Sequence, residues 1–156
     1  MKRMTIAIVG TLGVVLIVTS GAFAQDYLEL LRSDLRTMKT ALVTEAMQLT
    51  QEESEKFWPI YRDYEVDLSK NYDRRITLIR EYAENYTRMS NEKAKELAFD
   101  LMSIDKQRIN LWRKYYYKVE RALSSTLAAR FVQVERQIGL LIDLQIAAEM
   151  PLISEP

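Results

Sequence analysis

A single helix start decides the fold of this chain. It reads LTQEESEKFWPIYRDYE and spans residues 49–65. The hydroxyl of Thr50 can accept a hydrogen bond from the amide of Glu53, and the Glu53 carboxylate can accept one from the amide of Thr50, which makes a capping box. The acidic first turn suits the positive end of the helix dipole. The sequence therefore predicts a helix that begins at Gln51.

Apolar side chains keep helical spacing for many turns after this start. The helix is predicted to run from Gln51 to about Tyr86, with a kink but no break at Pro59. Its apolar seam consists of Phe57, Tyr61, Tyr64, Leu68, Tyr72, Ile76, Ile79 and Tyr82.

Three further helices follow from the same kind of signal. They are predicted from about Asp26 to Met47, from the cap Ser90 to about Ala122, and from near Ser124 to about Ala148. The seam of the first consists of Leu28, Leu31, Leu35, Met38 and Leu42. The third helix carries one seam of Leu97, Leu101, Ile104, Leu111 and Tyr115, interrupted by Arg108, beside a stripe of Met102, Ile109, Trp112 and Tyr116.

The predicted fold class is therefore all-α, with four helices of which two are long. A helix of more than thirty residues reaches roughly 50 Å, at about 1.5 Å per residue. We expect an elongated helical hairpin whose long apolar seams are covered by a second subunit, and so a homodimer.

Composition excludes most enzyme classes. The chain has no His and no Cys, so it has no Ser-His or Cys-His pair, no imidazole or thiolate metal ligand and no disulfide. Scattered carboxylates such as Asp63, Asp67 and Asp73 are interpreted as solvated side chains. We predict a protein that is not an enzyme, with no catalytic residue, no cofactor and no metal site.

The N-terminus has the pattern of an export signal. Lys2 and Arg3 precede an uncharged run that ends in Ala22-Phe23-Ala24, which predicts cleavage after Ala24. The mature chain would be one helical domain over 25–150 with a short tail over 151–156, located in the periplasm without a stable membrane anchor. The alternative is an anchor retained over 4–24, which is nearly long enough to span a bilayer.

The start of the second helix has an echo later in the chain. Leu49-Thr50 is followed by Phe57, eight residues after the Leu, and Leu123-Ser124 is followed at the same distance by Phe131. A Leu before the cap and a Phe two turns inside can clasp the helix entry, as a stretched hydrophobic staple does. Chance similarity between two capped amphipathic helix starts remains the alternative.

With these features the chain resembles the Spy/CpxP-type periplasmic proteins, which carry paired LTxxQ motifs. The first motif region, LTQEESEKFWPIY, has Glu53 in place of the motif's Gln; the second, LSSTL, has Ser124 in place of Thr and Leu127 in place of Gln. The resemblance implies a cradle-shaped antiparallel dimer that holds unfolded or aggregating envelope proteins without ATP. Related members damp envelope-stress signalling. Others bind zinc, which a chain without His or Cys is poorly equipped to do.

The third helix contains a basic and aromatic stretch that is a candidate binding surface. Between Lys106 and Arg121 there are six basic residues and one acidic residue. The candidate surface for a client or partner consists of Arg108, Trp112, Arg113, Lys114, Tyr116, Tyr117, Lys118 and Arg121. Arg or Lys side chains mixed with aromatic rings can hold unfolded chains by apolar and cation–π contacts.

Other interpretations of this stretch stay open. It can be a solvated helix face whose tyrosines pack in a dimer interface. Nucleic-acid binding is disfavoured by export and by the balance of 20 basic against 22 acidic residues after removal of Lys2 and Arg3. The predicted function is thus a periplasmic chaperone or envelope-stress protein; the alternative is a dedicated regulatory partner of an envelope sensor or other periplasmic protein.

Overall fold

The computed structural model describes residues 38–153, and all of this part that is regular is helical. The chain divides into two units, Met1–Thr40 and Ala41–Pro156. In the first unit the structure describes only residues 38–40, which are helical. The predicted signal peptide, its cleavage site, Leu28, Leu31 and Leu35 of the first seam, and residues 154–156 of the tail lie outside the described residues.

The helices confirm the predicted all-α class. Residues 38–47 form α1. They are followed by α2 (Gln51–Asn85), a short 3-10 turn (Tyr86–Arg88), α3 (Asn91–Ala122) and α4 (Ser125–Glu149). The described residues contain no strand. The second helix was predicted to end at about Tyr86, which is where the 3-10 turn begins.

The predicted helix caps are present. The Glu53 amide donates to the Thr50 hydroxyl at 3.3 Å and the Thr50 amide donates to the Glu53 carboxylate at 2.8 Å, which closes the capping box. Ser124 accepts from the amide of Leu127 at 3.2 Å. Because the side chain of Leu127 has no hydrogen-bond acceptor, α4 begins with one capping hydrogen bond instead of the reciprocal pair of a capping box.

The third helix, α3, packs against both α2 and α4. Asn71 of α2 is buried and donates its side-chain amide to the carbonyl of Ile104 at 2.9 Å, which fixes the position of α2 along α3. The other two helices, α2 and α4, meet through long side chains, among them the rings of Phe57 and Phe131, which stand 6.3 Å apart at 69°.

The Phe57–Phe131 contact gives the sequence echo a structural meaning. Both rings are fully buried in the core, and both leucines that precede the caps, Leu49 and Leu123, pack half-buried against it. The first turns of α2 and α4 thus pack into one apolar cluster. The cluster of buried residues consists of Val43, Met47, Phe57, Tyr61, Tyr64, Leu68, Tyr115, Val119, Ala128, Phe131 and Val134.

One buried carboxylate lies inside this aromatic core. Glu135 of α4 is 3% exposed and accepts hydrogen bonds from the hydroxyls of Tyr61 at 2.9 Å and Tyr64 at 2.7 Å. Trp112 of α3 donates its indole N–H to the Tyr64 hydroxyl at 3.1 Å. A buried carboxylate needs such donors because its desolvation is otherwise strongly unfavourable. Three helices therefore meet in one hydrogen-bonded group.

Parts of the predicted seams are wrong. Met38 is 62% and Leu42 46% exposed, whereas Val43 and Met47 are buried. After α1 the chain turns within residues 48–50, where Gln48 adopts a left-handed φ of 49°. In the last turn of α1 before it, Met47 is buried in the core. The four-residue spacing of Val43 and Met47 places both on the buried face.

Burial also decreases along the bundle. In α2 the seam is buried from Phe57 to Leu68 but only half-buried from Tyr72 to Tyr82. Leu101, predicted on the inner seam of α3, is 42% exposed. The far ends of α2, α3 and α4 therefore enclose less core than the ends near the capping box.

Replacing Thr50 by Ala tests the capping box. The substitution removes the acceptor for the Glu53 amide, and we expect the free energy of unfolding to fall by about 1 kcal/mol. Thr77→Ala, at an exposed position inside α2, is the control and should leave stability equal or slightly higher, because Ala has the better helix propensity. Urea unfolding followed by circular dichroism measures both; equal effects would contradict the cap.

The buried tyrosines predict a loss of stability in alkali. Burial, followed by the charge of Glu135, raises the pKa of Tyr61 and of Tyr64 above that of an exposed tyrosine. Above about pH 10 the unfolded chain then releases protons that the folded chain keeps, so the free energy of unfolding falls as the pH rises.

Phenylalanine variants separate this effect from general alkaline unfolding. Tyr61→Phe and Tyr64→Phe should each lower stability at pH 7 by about 1.5–3 kcal/mol, since each removes a hydrogen bond to a charged group. Each should also flatten the decline above pH 10, whereas Tyr117→Phe, at a half-exposed ring, should change neither quantity. An unchanged alkaline slope in both core variants would refute the assignment.

Candidate binding surface

The structure distributes the candidate surface over several faces of α3. Arg108 and Trp112 are half-buried against the bundle, and Trp112 is held by its hydrogen bond to Tyr64. Arg113, Tyr117 and Arg121 are exposed. The remaining three, Lys114, Tyr116 and Lys118, contact other side chains.

Arg108 joins α3 to α4. Its guanidinium makes two hydrogen bonds to the Asp143 carboxylate, at 3.0 and 2.9 Å, and a third to Asp105 at 3.2 Å. Arg75 of α2 donates to the same Asp143 at 2.6 Å. A two-pronged Arg–carboxylate pair has defined geometry as well as charge. The residue that interrupts the predicted α3 seam thus joins α3 to α4, and its partner Asp143 links both helices to α2.

The charge balance around Asp143 explains its ionisation. Burial acts to raise the pKa of Asp143, but the hydrogen bond from Arg108 and the charge of Arg75 outweigh it and hold the pKa below its ordinary value. The Arg108 guanidinium also lies 5.6 Å from the centre of the Trp112 ring. Gly139 of α4 faces this group, at a position where a Cβ would meet the Arg108 guanidinium at 3.7 Å, an ordinary contact.

Lys114 and Lys118 face α2. Lys114 is 2.7 Å from the Asp67 carboxylate and Lys118 is 3.8 Å from Asp63. The Tyr115 hydroxyl donates to Asp67 at 2.9 Å, and both ammonium groups lie over the Tyr115 ring, at 5.1 and 4.6 Å from its centre. Two acids of α2 and two lysines of α3 therefore neutralise each other across this contact.

Tyr116 has a local role at the end of α3. Its hydroxyl donates to the Glu120 carboxylate at 3.1 Å, and Ser125 at the start of α4 donates to the same carboxylate at 2.8 Å. Glu120, the one acid of the basic stretch, thus ties the α3–α4 connection together.

What remains exposed is an ordered row along α3, which we call the α3 ridge. Its members follow one another every three or four residues, so they share one face of the helix. They are Met102, Lys106, Ile109, Arg113, Tyr117 and Arg121, and all six are exposed. The row alternates between an apolar or aromatic side chain and a basic one. No carboxylate of the described residues forms an ion pair with its three cations.

The α3 ridge includes three residues that the predicted surface lacked. Lys106 had been counted in the basic stretch, and Met102 and Ile109 had been assigned to a second apolar stripe of α3. The shared signal is their spacing of four, seven and eleven residues from Arg113, which places them on the same helix face. Only the packing of α3 between two helices shows that Met102 and Ile109 of this stripe face outward, whereas Trp112 and Tyr116 are half-buried.

The apolar part of the ridge continues onto α4. A cavity of about 190 Å³ lies between the two helices, with Ile109 and Leu140 at its wall together with Arg108, Trp112 and Asp143. Three neighbouring leucines of α4 are exposed by 52%, 65% and 68%, namely Leu140, Leu141 and Leu144. Contiguous exposed apolar surface of this kind marks interaction sites in soluble proteins.

No family model, no curated protein and no solved structure matches this chain. Across residues 38–153, no helix combines the length and the hydropathy that crossing a bilayer requires. The same residues contain no group of three or more acidic side chains placed to hold a metal ion.

Acid titration tests the contact between α2 and α3. Hydrogen bonds from Lys114 and then from Tyr115 lower the pKa of Asp67 to about 2. An unfolded aspartate has a pKa of about 3.9, so the contribution of Asp67 to stability is present above pH 4 and is lost as the pH falls toward 2.

Asp67→Asn should therefore be less stable than the parent at pH 7, by an amount that shrinks between pH 4 and pH 2. Asp100→Asn, on α3, is the control and should differ from the parent by a constant small amount. Urea unfolding at four pH values in this range measures both. A parent-to-variant difference that stays constant down to pH 2 would rule out the lowered pKa.

Proposed function

We propose that this protein is a non-enzymatic chaperone of the Spy/CpxP type, which acts in the periplasm and holds unfolded or aggregating proteins on the α3 ridge without ATP. One observation carries the proposal, namely the alternation of exposed apolar and basic side chains along more than five turns of α3. The sequence supports it through the export pattern and the two motif-like helix starts at Thr50 and Ser124.

The chemistry of the ridge suits clients without a fixed structure. An unfolded chain exposes apolar side chains and carboxylates in no fixed arrangement. Each apolar contact with Met102, Ile109 or Tyr117 contributes roughly 25 cal/mol per Å² buried, and exposed ion pairs contribute about 1 kcal/mol or less. Many weak contacts in a row hold a chain reversibly, and they do not select one sequence.

The function is tested by charge reversal on the ridge. Lys106, Arg113 and Arg121 are replaced together by Glu, and aggregation of a reduced acidic protein such as α-lactalbumin is followed by light scattering at low salt. The parent protein should suppress scattering at stoichiometric ratios, and the triple variant should need several-fold more protein for the same effect.

The matched control makes the same change of charge on another helix. Arg62, Arg74 and Arg80 are exposed on α2, and their replacement by Glu should leave suppression intact. Equal loss in both triple variants would show that net charge, and not the ridge, is responsible. If the parent protein leaves scattering unchanged at every ratio, the chaperone proposal fails.

Lys114 and Lys118 are unsuitable for this test although they belong to the sequence-predicted surface. They contact Asp67 and Asp63 of α2, so reversing their charges would place like charges together between two helices and disturb folding. The circular dichroism spectrum of each triple variant checks that its helices are intact.

A second function is favoured by the cavity beside the ridge. Its wall is held in a fixed geometry by the Arg108–Asp143 pair, and a shaped cavity suits one defined partner, such as the sensor domain of an envelope kinase, better than many unfolded clients. Affinity capture from periplasmic extract distinguishes the two: one stoichiometric partner supports a regulatory protein, and a broad set of clients supports a chaperone.

Homodimerisation, expected from the resemblance, is part of the proposal. The exposed leucines of α4 offer apolar surface to a second copy, and sedimentation velocity at micromolar concentration measures the oligomeric state. A Leu141→Glu, Leu144→Glu variant that remains as dimeric as the parent would place the dimer contact elsewhere.

A further inference from the structure

A second cavity, of about 320 Å³, lies where the three long helices enclose less core. Its walls come from the second half of α2, the first half of α3, the end of α4 and the chain after it. They are apolar, with residues such as Ile79, Leu97 and Ile146, apart from a polar end formed by Arg75 and Asp143. This volume is at the lower end of the range for small-molecule sites in proteins, about 300–1,000 Å³.

The cavity is elongated and has two different ends. Arg75 and Tyr82 both line it, seven residues apart on α2, which is about 10 Å along a helix. At the Tyr82 end, Met150 and Ile153 complete the wall, and the Tyr82 hydroxyl donates to the carbonyl of Pro151 at 2.5 Å. That hydrogen bond holds the chain after α4 across this end.

The polar end holds one cation and one anion, Arg75 and Asp143. Arg75 and Arg108 share the single carboxylate of Asp143. Asp105, which also contacts Arg108, lines the other cavity and is 44% exposed. The Arg75 side chain is only 12% exposed, and of its guanidinium N–H groups one bonds to Asp143 in the described part of the chain. Its other donors remain able to bind an anion beside an apolar wall.

We propose that this cavity binds a single-chain carboxylate of the fatty-acid class, with the chain along the apolar walls and the carboxylate at Arg75. The volume corresponds to about ten water molecules at roughly 30 Å³ each, so it suits a chain of about ten carbons. The Arg75 donors that Asp143 leaves unused favour a carboxylate head group over a hydroxyl, because hydrogen bonds between two ionised groups are stronger than those to a neutral one. The proposal does not depend on chaperone activity.

Decanoate, used at concentrations where it is monomeric, is the probe, and isothermal titration calorimetry is the measurement. The parent protein should bind one decanoate per chain in a saturable way. Decanol should bind about tenfold more weakly. Arg75→Gln should weaken decanoate by about tenfold and leave decanol unchanged, and Arg74→Gln, an exposed neighbour on α2, should change neither.

Filling the cavity tests its location. Ala98 is exposed at the α3 wall, so Ala98→Trp should reduce decanoate affinity by at least tenfold, whereas Ala129→Trp, an exposed position of α4 outside the wall, should have no effect. Ala147→Trp, at the α4 wall, repeats the test if Ala98→Trp fails to fold as judged by circular dichroism.

Three outcomes would overturn the proposal. The first is the absence of saturable decanoate binding to the parent protein. The second is equal decanoate affinity in the parent and in the folded cavity-filling variant. The third is a parent dimer that does not bind decanoate and that Ala98→Trp converts to monomers, which would show that the cavity holds a second copy of the chain.

Discussion

The hydrogen-bonded carboxylate of Glu135 is the constraint on which the helix arrangement depends. A carboxylate taken out of water is strongly unfavourable unless donors surround it, and the hydroxyls of Tyr61 and Tyr64 supply two of them. Sliding α4 along α2 by one turn would separate these groups. Trp112 brings α3 into the same network. Three amphipathic helices with a purely apolar core could pack in several registers. The hydrogen bonds to Glu135 can form in only one of these registers.

Local signals in the sequence predicted the helix starts and much of the core, whereas the links between helices could not be read from it. Caps and periodic seams depend on residues within a turn or two of one another, so Thr50, Ser90, Ser124 and the seam from Phe57 to Leu68 are visible in the chain. Glu135 and Arg108 looked like ordinary charged residues, because their partners Tyr61, Tyr64 and Asp143 are distant in sequence. Leu42 is exposed because the buried face of α1 carries Val43 and Met47, a choice of face that the spacing of apolar residues did not show.

The candidate surface illustrates the same limit. A run of basic and aromatic residues on a helix turns through about 100° per residue, so one stretch of sequence supplies several faces. In α3 one face pairs with the acids of α2, another with Asp143 of α4, and a third meets solvent. Composition shows only that the stretch is basic and aromatic, and the division among Lys114, Arg108 and Arg113 depends on which helices flank α3. The ion pairs lie on the other two faces. The cations of the third face have no ion-pair partner among residues 38–153.

The length of the α3 ridge has a consequence for what can lie along it. From Met102 to Arg121 the helix rises about 28 Å, and an extended polypeptide covers that distance with eight or nine residues. The three cations, Lys106, Arg113 and Arg121, are spaced at about 11 Å, which corresponds to every third or fourth residue of such a strand. An extended segment of eight or nine residues is therefore long enough to contact the whole ridge, and shorter peptides can contact only part of it.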